Sequence, residues 1–143
     1  MVTNETKTRV YDVLAKVFIQ EGVSTCFALL GDANMNWAAR LAQHGCRMVY
    51  VRHEHCAAAA AMAYARKTSE VGVATVTCGP GVTQLITALP AAVRAHLPVV
   101  VFAGEAPLRS GWYNQGIDQA PLITATGAAY QSAHLPERMP VVI

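Results

Sequence analysis

The sequence predicts an α/β protein with a doubly wound, mostly parallel sheet and helices on both faces. Three observations carry this. The candidate strands are continuous apolar runs without polar alternation, the mark of strands covered on both sides. Stretches with helical spacing separate them, so strand and helix alternate at least four times. Two of the runs close on glycine-bearing turns, Gly31-Asp32-Ala33-Asn34 and Gly79-Pro80-Gly81.

Thr8 to Glu21 places Val10, Val13, Leu14 and Val17 at helical spacing, and Gly22 stops it. Thr25 to Leu30 is a buried strand closed by the GDAN turn. Met35 to His44 is a short helix ending at Gly45, and Arg47 to Val51 a second strand rich in β-branched and aromatic residues. Glu54 to Lys67 is an Ala-rich helix, and Val71 to Thr77 a third strand running into Gly79-Pro80-Gly81. Val82 to His96 aligns Val82, Leu85, Ile86, Leu89 and Val93, with Pro90 expected to kink or divide it. Pro98 to Ala103 is the fourth strand. A helix follows around Asp118 to Thr126, and a fifth strand is expected near Ala128 to Gln131.

Composition bounds the class. The chain has 143 residues, 53% hydrophobic and 14% charged, with 25 alanines. Average domains are about 25% charged, so this surface is poor in charge. The apolar content excludes disorder, and a net charge of +2 without a basic cluster argues against nucleic acid. The apolar runs Cys56–Ala65 and Pro98–Ala106 fall short of the roughly 20 residues a membrane span needs, and the N-terminus lacks a signal pattern. The four cysteines, at 26, 46, 56 and 78, have no metal-like spacing and read as reduced core thiols of a cytoplasmic protein. So much apolar surface on one small domain implies a covering partner, a second copy of the chain or another subunit. The chain stops inside the apolar run Pro140–Ile143, which reads as a C-terminally incomplete domain.

In doubly wound folds ligands bind beyond the carboxyl ends of the strands, which directs attention to the loops at 31–34, 52–55, 78–81 and 104–116. Gly79-Pro80-Gly81 follows a strand and opens a helix as a dinucleotide turn would, but Gln84 stands where the third glycine belongs, so a tight turn needing glycine dihedrals is the alternative. Glu54, in Arg52-His53-Glu54-His55, lies where a strand gives way to a helix; it is a functional carboxylate or one placed there for the helix dipole. No acidic or thiol cluster completes a metal site with His53 and His55. Asp32 is a reactive-site acid, or a turn residue or helix N-cap.

Together these strings identify a resemblance. Arg52-His53-Glu54, Ala58, Ala61-Met62-Ala63-Tyr64-Ala65-Arg66, Cys78-Gly79-Pro80-Gly81, His96-Leu97-Pro98-Val99 and Ala103-Gly104 resemble the N-terminal pyrimidine-binding domain of thiamine diphosphate enzymes, among them acetolactate synthase and the benzoylformate and pyruvate decarboxylases. The resemblance runs from about Thr8 to the end and implies a thiamine diphosphate-binding fold of the pyrimidine type. It implies that Glu54 hydrogen-bonds N1′ of the coenzyme's aminopyrimidine, a protonated carboxyl there favouring the imino tautomer. The apolar wall Ala57–Ala61 would then raise that glutamate's pKa. Gly79, Pro80 and Gly81 match the loop near the pyrimidine and the dimer contact, and Asp32 matches a decarboxylase-type position facing the reacting centre. Gln115 and Asp118 match the family's Phe-Gln-Glu-x-Asp segment, with Asn114 for Phe and Gly116 for Glu; Gln115 and His53 are the candidate substrate-facing residues. The family's GDG motif for diphosphate and Mg²⁺ is absent, so the metal is expected on a separate domain.

The resemblance thus implies half of a site for a 2-oxo acid decarboxylase or carboligase acting on a small 2-oxo acid or aldehyde, catalytically silent alone. The alternatives are a small subunit of a split two-chain decarboxylase and a non-catalytic dimerisation or binding module of the same fold.

Overall fold

The computed structural model describes residues 9–107 and 109–133. The first helix is α1, Val10–Gln20, with Leu14, Ala15 and Phe18 buried. It is followed by β1, Thr25–Ala28, α2, Met35–Gln43, and β2, Arg47–Tyr50. Then come α3, Glu54–Thr68, β3, Gly72–Val76, α4, Pro80–Thr83, and α5, Ala88–Arg94. The last elements are β4, Val99–Ala103, and α6, Gln119–Ala125. The first four expected strands form, each slightly shorter than its apolar run.

The four strands make one parallel sheet in the order β2-β1-β3-β4. β1 is flanked by β2 on one side and β3 on the other, so the chain winds outward in both directions from the β1/β3 pair. Right-handed crossovers put the helices of the two directions on opposite faces. Side-chain alternation confirms the two layers. Cys26 and Val73 lie in register and enter a core with Leu14, Phe18, Trp37 and Leu41 of α1 and α2. Their neighbours Phe27 and Ala74 turn the other way, towards Ala57 and Ala61 of α3. The fold class is as the sequence predicts.

On the α1/α2 face, Trp37 stacks on Phe102 with centroids 4.1 Å apart and meets Phe18 edge-on at 5.0 Å. Such pairs contribute about 0.5–1.5 kcal/mol each beyond their buried area. On the other face alanine accounts for the fit. A Cβ on Gly72 would stand 2.1 Å from the Ala61 carbonyl oxygen, so the backbones of β3 and α3 nearly touch. Ala57, Ala58, Ala61 and Ala65 are all buried on that side of α3. These alanines need no second chain to cover them.

Two expectations change. The helix expected over 82–96 is split into α4 and α5 by turns at 84–87. The cause is Pro90, whose ring excludes a helical carbonyl four residues earlier, at Ile86. The break thus falls one turn before the proline, which sits in the first turn of α5 where no N–H is needed. The expected fifth strand at Ala128–Gln131 does not form. Gly127, at φ +84°, turns the chain just before it, and two of its four residues are alanine, a poor strand former. Tyr130 instead hydrogen-bonds Glu105, just past the end of β4. The Pro140–Ile143 end lies outside the described residues.

The loop after β1 is fixed by a buried side chain. Asn34 is 1% exposed. Its Oδ1 accepts from the Gly31 N–H at 2.8 Å, and its Nδ2 donates to the Leu29 carbonyl at 3.1 Å and to Thr75 Oγ1 at 3.0 Å. Thr75 Oγ1 in turn donates to the Phe102 carbonyl at 2.8 Å. The chain of bonds runs from the β1 loop through β3 to β4.

Replacing Asn34 with Leu leaves these buried partners unpaired, which costs about 2–4 kcal/mol; urea unfolding should show that loss, and a midpoint unchanged from wild type would refute the network's role. A second prediction concerns Asp12. The His44 and Lys16 side chains hydrogen-bonding it hold its carboxyl below the usual range; the Lys16 pair lies within α1, while His44 and Arg40 tie α1 to α2. A lowered folded-state pKa contributes stability above the unfolded value of about 3.9 that is lost as pH falls below it. Urea midpoints measured across acid pH should fall less steeply for Asp12→Asn than for wild type.

Candidate active site

Because the chain winds both ways from β1 and β3, their carboxyl ends form the topological switch point, the place where ligands of open α/β sheets bind. Three loops wall it. A Cβ on Gly31, in the β1 loop, would stand 2.6 Å from Thr77 Cβ, beyond β3. One on Gly104, after β4, would meet Ala33 Cβ at 2.4 Å, and one on Gly79 would lie 1.9 Å from the Gln115 carbonyl oxygen. Each glycine is there because another backbone or side chain occupies the space. Gly79 also has φ +58°, a conformation side chains disfavour.

The turn at 79–81 has no free backbone donors. Gly79 N–H donates to Gln119 Oε1 at 2.8 Å, and Pro80 has none. Gly81 N–H donates to the Cys78 carbonyl, and those of Val82 and Thr83 to the Gly79 carbonyl. A dinucleotide-type turn offers such groups to phosphate. Here they are engaged, and the α4 they would open is four residues long. The tight-turn reading of Gly79-Pro80-Gly81 is the one the geometry supports.

Glu54 opens α3 and is half-buried. Its carboxyl makes no hydrogen bond or ion pair among the described residues. One turn on, Ala58 packs with Val76 and Val82, so the start of α3 stands beside the turn that opens α4. His53 is the N-cap of α3 and uses Nδ1 to accept from the His55 N–H at 3.1 Å. That bond occupies the ring nitrogen and gives this exposed histidine a structural task. Asp32 is exposed in the β1 loop without a hydrogen bond among the described residues; the N-cap of α2 is Asn34, so Asp32 does not cap that helix.

From the third wall, Gln115 Oε1 accepts from the Cys78 thiol at 3.6 Å and from the Tyr113 phenol at 3.4 Å. Burial raises the Tyr113 pKa, and nearby Cys78 and Asp32 add to the rise. Asp32, Cys78, Tyr113 and Gln115 therefore come together from three loops. Asp118 is the N-cap of α6, without a side-chain cap bond. No group of three His, Cys, Asp or Glu among the described residues is arranged to hold a metal ion.

One residue of the crevice has no motif to announce it. Gln119 is 6% exposed, and its Nε2 donates to the Gly104 carbonyl at 3.1 Å while its Oε1 caps Gly79. The available signal is a polar residue on the inward stripe of a helix, four residues before Ile123. A separate cavity of about 470 Å³ lies behind it, lined by Leu85, Leu89, Val101, Ile123 and Tyr130. It includes none of Asp32, Glu54 or the 79–81 turn. No helix among the described residues is long and apolar enough to cross a membrane.

Comparison with known proteins agrees with this geometry. The model of the thiamine pyrophosphate enzyme family, N-terminal TPP binding domain, matches residues 8–122. A probable acetolactate synthase of Mycobacterium bovis is 35% identical over 113 residues, 78% of this chain and 21% of that protein. The acetolactate synthase isozyme 2 large subunit of Escherichia coli K12 is 42% identical over 85 residues, 59% of this chain and 16% of that one. The 2-hydroxyacyl-CoA lyase 2 of Bos taurus is 40% identical over 111 residues, 76% of this chain and 18% of that one. The chain thus spans about a fifth of the length of the curated relatives it matches. With a parallel sheet, a glutamate opening α3 and a glycine-proline-glycine turn after β3, this chain belongs to the thiamine pyrophosphate enzyme family and corresponds to its N-terminal, TPP-binding domain.

Proposed function

We propose that this chain forms the pyrimidine-side half of the active site of a thiamine diphosphate-dependent, acetolactate synthase-like enzyme that decarboxylates or joins small 2-oxo acids or aldehydes. The observation that carries the proposal is Glu54: a half-buried carboxyl at the head of a 15-residue helix, unengaged within the described residues and beside the 79–81 turn.

The residues present suit the pyrimidine end of the coenzyme. Ala58 and Val82 pack together behind the start of α3, and Thr77 Oγ1 is a buried polar atom without a hydrogen-bond partner among the described residues. Diphosphate is another matter. The backbone donors of 79–83 are already engaged, which supports placing diphosphate and Mg²⁺ on a different domain or a separate subunit. That assembly makes the chain silent alone. Three buried thiols, none of them in a disulfide, fit a cytoplasmic protein.

Thiamine diphosphate, when bound, supplies the nucleophilic carbon and the electron sink. Glu54 would hold a proton at the pyrimidine ring nitrogen, a general-acid task. Asp32, exposed at the crevice mouth, is placed to exchange a proton with a substrate oxygen, while Gln115 orients the substrate. His53 fixes the start of α3 and so the aim of Glu54.

Titrating the isotopically labelled chain with 4-amino-5-hydroxymethyl-2-methylpyrimidine should shift the amide resonances of Glu54, Gly79 and Gly81, and magnesium pyrophosphate should leave them in place. Glu54→Gln should weaken that binding about tenfold, the loss of one charge-assisted hydrogen bond. In a complex reconstituted with a diphosphate domain, Mg²⁺ and coenzyme, it should lower 2-oxo acid turnover by about 10²–10⁴. Binding and turnover indifferent to Glu54→Gln would remove that residue from the mechanism.

A further inference from the structure

Resting on the reading of the crevice as a pyrimidine site, we infer that Gln119 is its positioning residue: one buried carboxamide that sets the spacing between the loop carrying Asp32 and the turn of Gly79, Pro80 and Gly81. The geometry is direct. Oε1 accepts from Gly79 N–H at 2.8 Å, and Nε2 donates to the Gly104 carbonyl at 3.1 Å. The partners fix the amide's orientation, since a peptide N–H only donates and a peptide carbonyl only accepts.

Each end leads to a wall of the crevice. Gly104 lies so close to Ala33 that a Cβ there would come within 2.6 Å of the Ala33 carbonyl oxygen, and Ala33 adjoins Asp32. Gly79 abuts the backbone of Gln115, whose side chain meets Cys78 and Tyr113. One side chain thus holds the end of β4 against the turn after β3. Because Gly104 is in contact with the β1 loop, Gln119 links all three walls. Gln119 itself is buried and does not face the ligand. Its effect passes through the groups it holds.

The two halves of the clasp can be separated by substitution. Gln119→Met keeps the length and bulk of the side chain and removes both bonds. Gln119→Glu keeps an acceptor for Gly79 N–H and, when ionised, loses the donor to Gly104. Amide hydrogen exchange on the full chain reads each half at named positions: Gly79, bonded to Gln119; Met35, bonded to the Gly31 carbonyl; and Gly116, bonded to the Tyr113 carbonyl.

In Gln119→Met, exchange at Gly79, Met35 and Gly116 should quicken about tenfold or more while Phe27 in β1 and Ala74 in β3 keep their wild-type rates. In Gln119→Glu, Gly79 and Gly116 should stay slow while Met35 quickens. Aminopyrimidine binding should weaken about tenfold in the Met variant. An unchanged Gly79, or exchange that rises equally at Phe27 and Ala74, overturns the clasp. Unaltered aminopyrimidine affinity beside a quickened Gly79 overturns its positioning role. If wild type fails to bind the aminopyrimidine, the reading of the site falls, and the exchange pattern still decides whether Gln119 joins the three loops.

Discussion

The architecture depends on holding β1 and β3 together where the chain turns away from them in opposite directions. A sheet that winds both ways from one strand pair sends the loops after those strands in opposite directions, so the contacts that hold these loops in place must be made by small residues and buried side chains. Asn34 meets this constraint from below. Its carboxamide bonds to the Gly31 N–H and the Leu29 carbonyl on its own loop and to the Thr75 hydroxyl of β3. Thr75 passes the connection to the Phe102 carbonyl of β4. A buried carboxamide with unmatched partners would cost more than it contributes. Here every partner is backbone or hydroxyl within 3.1 Å, so the network specifies one arrangement of the loop that presents Asp32. Gln119 applies the same chemistry from above.

Small residues are the second part of the design. The chain has little charge and 25 alanines, a composition that looks like surplus apolar surface until α3 is laid on the sheet. Gly72 and Ala61 meet backbone to backbone, and the buried alanines bring α3 close enough to set Glu54 beside the turn after β3. A larger side chain at 57, 58 or 61 would lift the helix and its first residue with it. Alanine content on this face therefore bears on function through distance. Of the large apolar residues that remain exposed, Leu30 and Tyr50 lie at or just past the carboxyl ends of β1 and β2, while Val71 and Val100 lie at the opposite end of the sheet.

Much of this was legible in the sequence, and the gaps have physical causes. Continuous apolar runs located all four strands because a parallel strand buried on both faces needs apolar residues on both. Pro90 announced a break, but its position depends on a carbonyl four residues earlier, so the helix divided before the proline. Ala128–Gln131 looked like a strand because apolar character alone does not distinguish a strand from a tethered coil; the Tyr130–Glu105 contact that decides it joins residues 25 apart. Glu54, Asp32 and the 79–81 turn stand out in the sequence as candidates because their residue types carry chemistry in recognisable strings. Gln119 and Asn34 were missed as organisers because a buried carboxamide has no sequence signature. Its importance lies in which backbone groups it meets, and those are settled only when the strands are in register.

The turn after β3 shows how far a motif can be read without its surroundings. A glycine-rich strand-to-helix turn binds phosphate when successive N–H groups point outward at the start of a helix. In this chain proline removes one donor, Gln119 takes another, and the next three close back on the turn's own carbonyls. The helix that follows lasts four residues before the constraint of Pro90 is felt, too short to build an appreciable dipole. The same glycine spacing therefore produces a rigid, electrically quiet wall. Such a wall suits a neutral heterocycle better than a phosphate.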